Sequence, residues 1–170
     1  MTTTTTEERA SVAPTGCCPP FEPSLWDGRE VVWRDKLFVK EHAHSVLHVP
    51  LDMGRVITRA KAKIDAAGAS PPQPLMLTED HTFGSDLYIE VTHAVPGLNN
   101  VTLSGDFMTK VFDGPFHDAP KWVDTMKWVV ATEGRTLRRI VFAYTTCPAC
   151  AKAYGHNYVV LFAEVAPQTA

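Results

Sequence analysis

Long apolar runs are missing from this chain: nowhere does one approach the roughly 18 residues needed to cross a bilayer as a helix. The first fifteen residues are polar and acidic and lack the apolar segment of a signal peptide, so the chain is read as cytoplasmic, with no membrane partner. Basic runs are missing too. With 16 Lys and Arg against 19 Asp and Glu the net charge is -3, and no cluster tracks a phosphate backbone, which argues against nucleic acid as the partner. Cysteine is scarce, with four in 170 residues, placed as an adjacent pair, Cys17-Cys18, and a C-x-x-C, Cys147 to Cys150. In a reducing compartment these are thiols or metal ligands rather than a disulfide framework. A chain of this length can bury roughly two thirds of the surface its unfolded form exposes, so a core is within reach without staples.

Large side chains are also rare in the first sixteen residues, where five consecutive threonines offer nothing to bury, and this stretch reads as a disordered tail. Residues 17–36 bring Phe21, Trp26 and Trp33 among prolines and charges, which suggests an irregular arm laid across the domain. Leu37 to Val49 then reads as a strand. Met53 to Ala67 follows with Met53, Val56, Ile57, Ala60 and Ile64 on one helical face and Gly68 as the stop. Prolines 71, 72 and 74 mark a loop before short strands at Leu75 to Leu77 and Ser85 to Val95. The same β-α-β-β order recurs: a strand over Val101 to Phe112, a helix from Asp118 or Ala119 to Gly134 with Pro120 in its first turn, and strands at Arg139 to Thr146 and Tyr158 to Val165. The predicted architecture is α+β, with two repeats (37–95 and 101–165), an antiparallel sheet, helices on one side, a ligand cleft between the repeats and a short tail over 166–170.

Strand alternation assigns the faces. Leu87, Ile89 and Val91 belong under a helix, as do Val159, Leu161, Ala163 and Val165. The opposite faces carry Asp86, Tyr88 and Glu90 in one repeat, and Tyr158, Val160, Phe162 and Glu164 in the other, with Ile140, Phe142 and Tyr144 aligned likewise. Aromatic rings supply stacking area at small entropic cost, so Tyr88, Phe107, Phe142, Tyr144, Tyr158 and Phe162 form the candidate wall of a small-molecule site. Trp122, after Pro120, joins them or belongs to the core. Trp128 lies opposite the apolar face of its helix, as an exposed, rim or contact residue. Glu164, partly desolvated beside the rings, suits proton transfer or cation binding, with Glu90 as its counterpart. His42, His44 and His48 alternate on the first strand, where a half-exposed face explains them without a metal. Cys147 and Cys150 would make half a zinc site that Cys17-Cys18 or His156 could complete; adjacent cysteines chelate awkwardly, and the reading assigns no metal and no cofactor.

The segments Gly16-Cys-Cys-Pro-Pro-Phe21, Trp33-Arg-Asp-Lys-Leu-Phe38, Gly84-Ser-Asp-Leu-Tyr-Ile-Glu-Val91, Gly114-Pro-Phe116, Pro120-Lys-Trp122 and Tyr144-Thr-Thr-Cys-Pro-Ala-Cys150, with the duplicated element order, resemble the GyrI-like small-molecule-binding family over residues 16–165. The resemblance implies a cleft that holds a drug, toxin or effector. It is nearest to a stand-alone branch akin to hydrolases that open the cyclopropane ring of DNA-alkylating natural products of the yatakemycin and duocarmycin type, in self-resistance or detoxification. The residues before Leu37 are too few for a DNA-binding winged helix. On this reading the aromatics hold a planar apolar substrate, and Glu164 with Tyr144 handle protons while water opens the ring. The rival reading is a non-catalytic module that sequesters a toxin or shields a partner.

Overall fold

The computed structural model describes residues 17–46 and 49–168; the N-terminal tail, His48 and the last two residues lie outside them. The regular elements are β1 (Arg29–Val46), β2 (Val49–Pro50), α1 (Met53–Ala66), β3 (Met76–His81), β4 (Gly84–Glu90), β5 (Asn100–Asp113), α2 (Ala119–Thr132), β6 (Leu137–Tyr144), α3 (Pro148–Tyr154) and β7 (Tyr158–Val165). All pairings are antiparallel. The order β1-β4-β3-β6-β7-β5 closes on itself through β1 and β5, giving a six-stranded barrel, with β2 paired only to the end of β1. The neighbours β1-β4-β3 and β5-β7-β6 follow the same order within the two β-α-β-β units.

Helices α1 and α2 lie outside the barrel, for the reason their spacing dictates. Val56, Ala60 and Ile64 recur every four residues, and all three are buried; with them are packed Val39, Ile89 and Val91 on one side and Ala43 and Leu87 on the other. Trp122, Met126 and Val130 repeat that spacing in α2 and cover Val159, Leu161, Ala163 and Val165. The aliphatic faces therefore lie under the helices, as alternation requires. Gly68 and Gly134 follow the two helices with φ of 64° and 66°, a conformation that admits glycine at little cost and turns the chain out of the helix. Trp128, on the other side of α2, is 67% exposed.

The first strand departs from expectation. It begins at Arg29, eight residues before Leu37, so the last eight residues of the expected irregular arm are sheet. Between Trp33 and Lys36 the register against β5 moves three residues on β1 but only two on β5, from Gly105 to Leu103. This is a bulge. Asp35 takes a φ of 52° there, and its backbone N–H donates to Ser104 Oγ at 2.8 Å. The extra residue switches parity. Val31 and Trp33 face the interior before it, and Phe38 faces the same interior after it.

The space between the two units is filled. Trp33 lies 4.4 Å from Phe107, 5.3 Å from Phe162 and 5.8 Å from Phe38 between ring centroids, and Leu77, Tyr88, Val141, Ala143 and Val160 complete a buried cluster. Barrels of about eight strands have interiors just wide enough for side chains to fill, so six strands leave no room for a ligand. Phe162 is wholly buried at the centre of these contacts. Phe162→Ala is expected to lower the unfolding free energy by about 3–5 kcal/mol in urea titration. A loss below about 1 kcal/mol would mean that the interior is not one continuous core.

Candidate active site

Polar residues occupy one sector of the same interior-facing surface. On β4, Asp86 and Tyr88 project beside Glu79 and Leu77 of β3 and beside His42 and Lys40 of β1, because the register pairs Asp86 with Glu79 and His42, and Tyr88 with Leu77 and Lys40. Asp86 gathers three donors. Lys40 Nζ lies 2.9 Å from Oδ2, His81 Nε2 3.1 Å from the same oxygen, and His42 Nδ1 2.9 Å from Oδ1. Burial would raise the Asp86 pKa, but the hydrogen bonds from Lys40, His42 and His81 outweigh it and hold the carboxyl at about 2. The hydrogen bond to Asp86 in turn keeps Lys40 above the usual lysine value, as a persistent ammonium.

Gly84 makes room for this arrangement. A Cβ there would stand 2.6 Å from His42 Nε2 and 2.6 Å from the Ala43 carbonyl oxygen, so any side chain would displace the imidazole or the strand. The tight turn before it leaves Phe83 80% exposed. Its carbonyl accepts from the Ser45 backbone N–H at 3.2 Å, which ties the turn to β1. His44 packs edge-on against His42 at 5.1 Å. An exposed aromatic residue thus stands in the turn next to Gly84, which His42 abuts.

A second group adjoins the first. Arg139 donates from Nε to Glu164 at 2.5 Å and from Nη1 to Glu79 at 3.0 Å, while Tyr88 O–H donates to Glu79 at 3.3 Å. Burial opposes the Arg139 charge, but the carboxylates of Glu164 and Glu79 outweigh it and push its pKa above the usual value. Glu164 therefore meets a guanidinium where an aromatic setting was expected. Glu90 braces the strand end instead, ion-paired to Lys36 and accepting from the Leu75 N–H at 3.0 Å.

The remaining expected residues divide between two faces. Tyr88, Phe107 and Phe162 belong to the barrel core. Tyr158 lies at its rim, stacked on His156 at 5.0 Å and touching Phe21 at 5.7 Å. Phe142, Tyr144 and Trp122 sit on the outer side with α2, where Trp122 stacks on Phe112 at 5.6 Å and Tyr144 meets Phe116 at 5.2 Å. Phe142 and Tyr144 do not share the Phe162 face, contrary to what alternation alone suggests: on β6 it is Val141 and Ala143 that join the barrel core. Burial, with the charge of Asp80 added, raises the Tyr144 phenol and keeps it protonated. It stands five residues along β6 from Arg139, about 17 Å at strand rise, and on the opposite face from Glu164. The two cannot act on one bond.

Lys40, Glu79, His81, Phe83 and Arg139 carry no signal for chemistry in the sequence, whereas His42 is weighed there only as a metal ligand and Asp86 is only placed on the Tyr88 face. The available signals were the alternating histidines of β1 and the placement of Asp86 on the Tyr88 face. Among the described residues, two groups of side chains bring metal-type ligand atoms within 4.8 Å of one another: Glu79, His81 and Asp86, and the four cysteines. In the first, both Asp86 oxygens already accept from cationic or imidazole donors, and Lys40 occupies the position a cation would take. A groove of about 190 Å³ lies elsewhere, between Glu30, Asp106, Arg135 and Pro167, below the 300 Å³ or more typical of ligand pockets.

A closed antiparallel barrel with histidine-bearing carboxylate chemistry at one end of its interior defines a small barrel protein with a candidate acid-base centre. The family model described as bacterial hydrolase matches residues 8–165, and the chain belongs to that family. No curated protein matches it. Among the described residues no helix is long and apolar enough to cross a membrane.

The Asp86 geometry has a signed pH consequence. A carboxyl held at about 2 in the fold against an ordinary 3.8 contributes stability that is complete above the ordinary value and lost as pH falls through the folded one. The stability difference between the wild type and Asp86→Asn is therefore expected to be largest above pH 4 and to shrink toward pH 2, measured by urea titration at each pH. A difference that stays constant across that window would show that Asp86 is not held by its three donors.

Proposed function

We propose that this protein is a hydrolase in which Asp86 orients His42 as the general base toward water, with Lys40 as the cationic donor to the substrate. The observation that carries this reading is the single carboxylate shared by Lys40, His42 and His81. His42 is anchored through Nδ1, which leaves Nε2, at the tip of the ring, to take a proton. His81 is anchored through Nε2 and keeps only the nitrogen beside its own backbone. The Lys40 ammonium has three N–H groups, and one suffices for Asp86. His42 and His81 side chains are 48% and 47% exposed, so a substrate can reach them.

The finer reading concerns the substrate. We propose a planar, apolar electrophile of the cyclopropanoid type, held on the exposed Phe83 ring and the His42–His44 edge rather than among the buried aromatics. In such a compound the strained ring is conjugated to a dienone. Lys40 donates to the carbonyl oxygen, and water loses its proton to His42 as its oxygen bonds to the ring methylene. The cyclopropane carbon-carbon bond breaks, its electron pair passes through the dienone to the oxygen, and that oxygen is protonated to a phenol. The product is the substrate plus one water, with no redox change. Glu79, Arg139 and Glu164 fix the wall beside Tyr88. What supports this substrate class is the resemblance in the Cys-Cys-Pro-Pro-Phe and Thr-Thr-Cys-Pro-Ala-Cys segments, together with the exposed Phe83 in the turn next to Gly84, which His42 abuts. The expected biological role is self-resistance or detoxification.

Mass spectrometry of a duocarmycin-type compound incubated with the protein is expected to show a product heavier by one water. His42→Gln should lower the single-turnover rate by roughly 10²- to 10⁴-fold, the usual share of general acid-base assistance, while the dissociation constant changes little. Phe83→Ala should weaken binding, and Tyr144→Phe should leave the rate intact. Binding without conversion would favour the sequestering module, and a rate abolished by Tyr144→Phe would move the chemistry to the α2 face.

A further inference from the structure

The four cysteines, with Cys17 and Cys147 separated by 130 positions, meet at the end of β6 away from Arg139. Cys17 and Cys18 open the described chain. Cys147 is the extended residue that caps α3, Pro148 begins that helix, and Cys150 follows within the first turn, buried to 1% exposure. An extended cap followed by a helical turn aims the two sulfurs of a C-x-x-C to one side, where the arm lays Cys17 and Cys18 against them.

The spacing of the sulfurs is diagnostic. Cys17 Sγ lies 3.7 Å from Cys18 Sγ and 3.9 Å from Cys147 Sγ, and all four sulfurs are within 4.8 Å of one another. A tetrahedron of sulfurs around zinc at about 2.3 Å has edges of about 3.8 Å. A disulfide requires about 2.05 Å, so these are separations for sharing a metal and not for a sulfur-sulfur bond. Adjacent cysteines thus reach two corners of one tetrahedron, which removes the objection to their chelating. Two hydrogen bonds hold the adjacent pair in place. The Cys147 backbone N–H donates to Cys18 Sγ at 3.3 Å, and Tyr154 O–H donates to the Cys18 carbonyl at 2.6 Å, which fixes the backbone of the ligand pair.

We propose that Cys17, Cys18, Cys147 and Cys150 bind one structural zinc ion. Four soft thiolates select zinc over harder divalent ions, and four protein ligands leave no position for water, so the ion acts by tethering rather than by hydrolysis. What it tethers is the arm to α3. The arm carries Phe21 onto Tyr158 and Trp26 onto Phe162, at 5.7 and 5.5 Å, and the Trp26 carbonyl accepts from Thr109 Oγ1. The zinc clamp holds these rings over the aromatic core at the end of the barrel opposite the Asp86 group.

The test uses the full chain, expressed with zinc in the medium and without chelator. Elemental analysis is expected to find one zinc per chain, falling to none in Cys147→Ser/Cys150→Ser. Cobalt exchanged into the wild type should give the intense thiolate charge-transfer and visible bands of a tetrahedral sulfur site. Chelation should change Trp26 fluorescence, and zinc should restore it. If the double variant fails to fold, the wild-type cobalt spectrum still decides. An intact mass two hydrogens short, showing a disulfide, would overturn the proposal. So would wild-type protein that takes up neither zinc nor cobalt, iron in place of zinc at this site, or zinc kept by the folded double variant.

Discussion

One extra residue in β1 decides what the barrel encloses. Strands alternate their side chains with a period of two, so Trp33 and Phe38, an odd number apart, would point to opposite faces of an uninterrupted strand. The bulge at Asp35 brings both to the interior. β1 can then pair with β5 through its first half and with β4 through its second, closing six strands around one aromatic cluster. Without that parity change, either the tryptophan or the Phe38–Lys40–His42 row would face outward. The core and the Asp86 group depend on the same residue.

Closure also explains why the chemistry collects at one end. A narrow barrel packed with rings has no interior site, and charges persist on the inward face only where the strands reach water. There Asp86, Glu79 and Glu164 are each met by a cationic or imidazole partner. Removing a single partner from such a group leaves an uncompensated charge, a much larger penalty than the net worth of the pair. The arrangement holds His42 in place by electrostatics and by the missing side chain of Gly84. At the far end the role passes to sulfur, where the cysteine cluster fastens an arm that strand pairing alone does not hold.

Much of this was legible in the sequence, and what was not has identifiable causes. Helix α1 and strand β7 fall where periodicity and turn residues put them, and the aliphatic faces of β4 and β7 lie under the helices. The bulge was hidden because nothing marks Asp35 as left-handed except the need to bury both Trp33 and Phe38. Helix α3 spans seven residues, too few to display a helical period. Phe142 and Tyr144 were assigned to the wrong face because alternation within β6 does not say which parity faces inward. The site was harder still: Arg139 meets Glu79 across 60 positions and His42 meets Asp86 across 44, contacts that only the register determines. Alternation places Glu164 on the inward face, but it carries no sign of the Arg139 guanidinium that meets it there.

The placement of the site at the Asp86 end of the barrel, rather than among the aromatics under α2, is the claim on which the functional account rests. Amide chemical shifts of the labelled protein, followed while a ring-opened cyclopropanoid product is added, report this directly. The account predicts saturable shifts at His42, His81, Phe83 and Asp86, with little change in α2. Shifts centred on Trp122, Phe142 and Tyr144, with His42 and Phe83 unmoved, would contradict it.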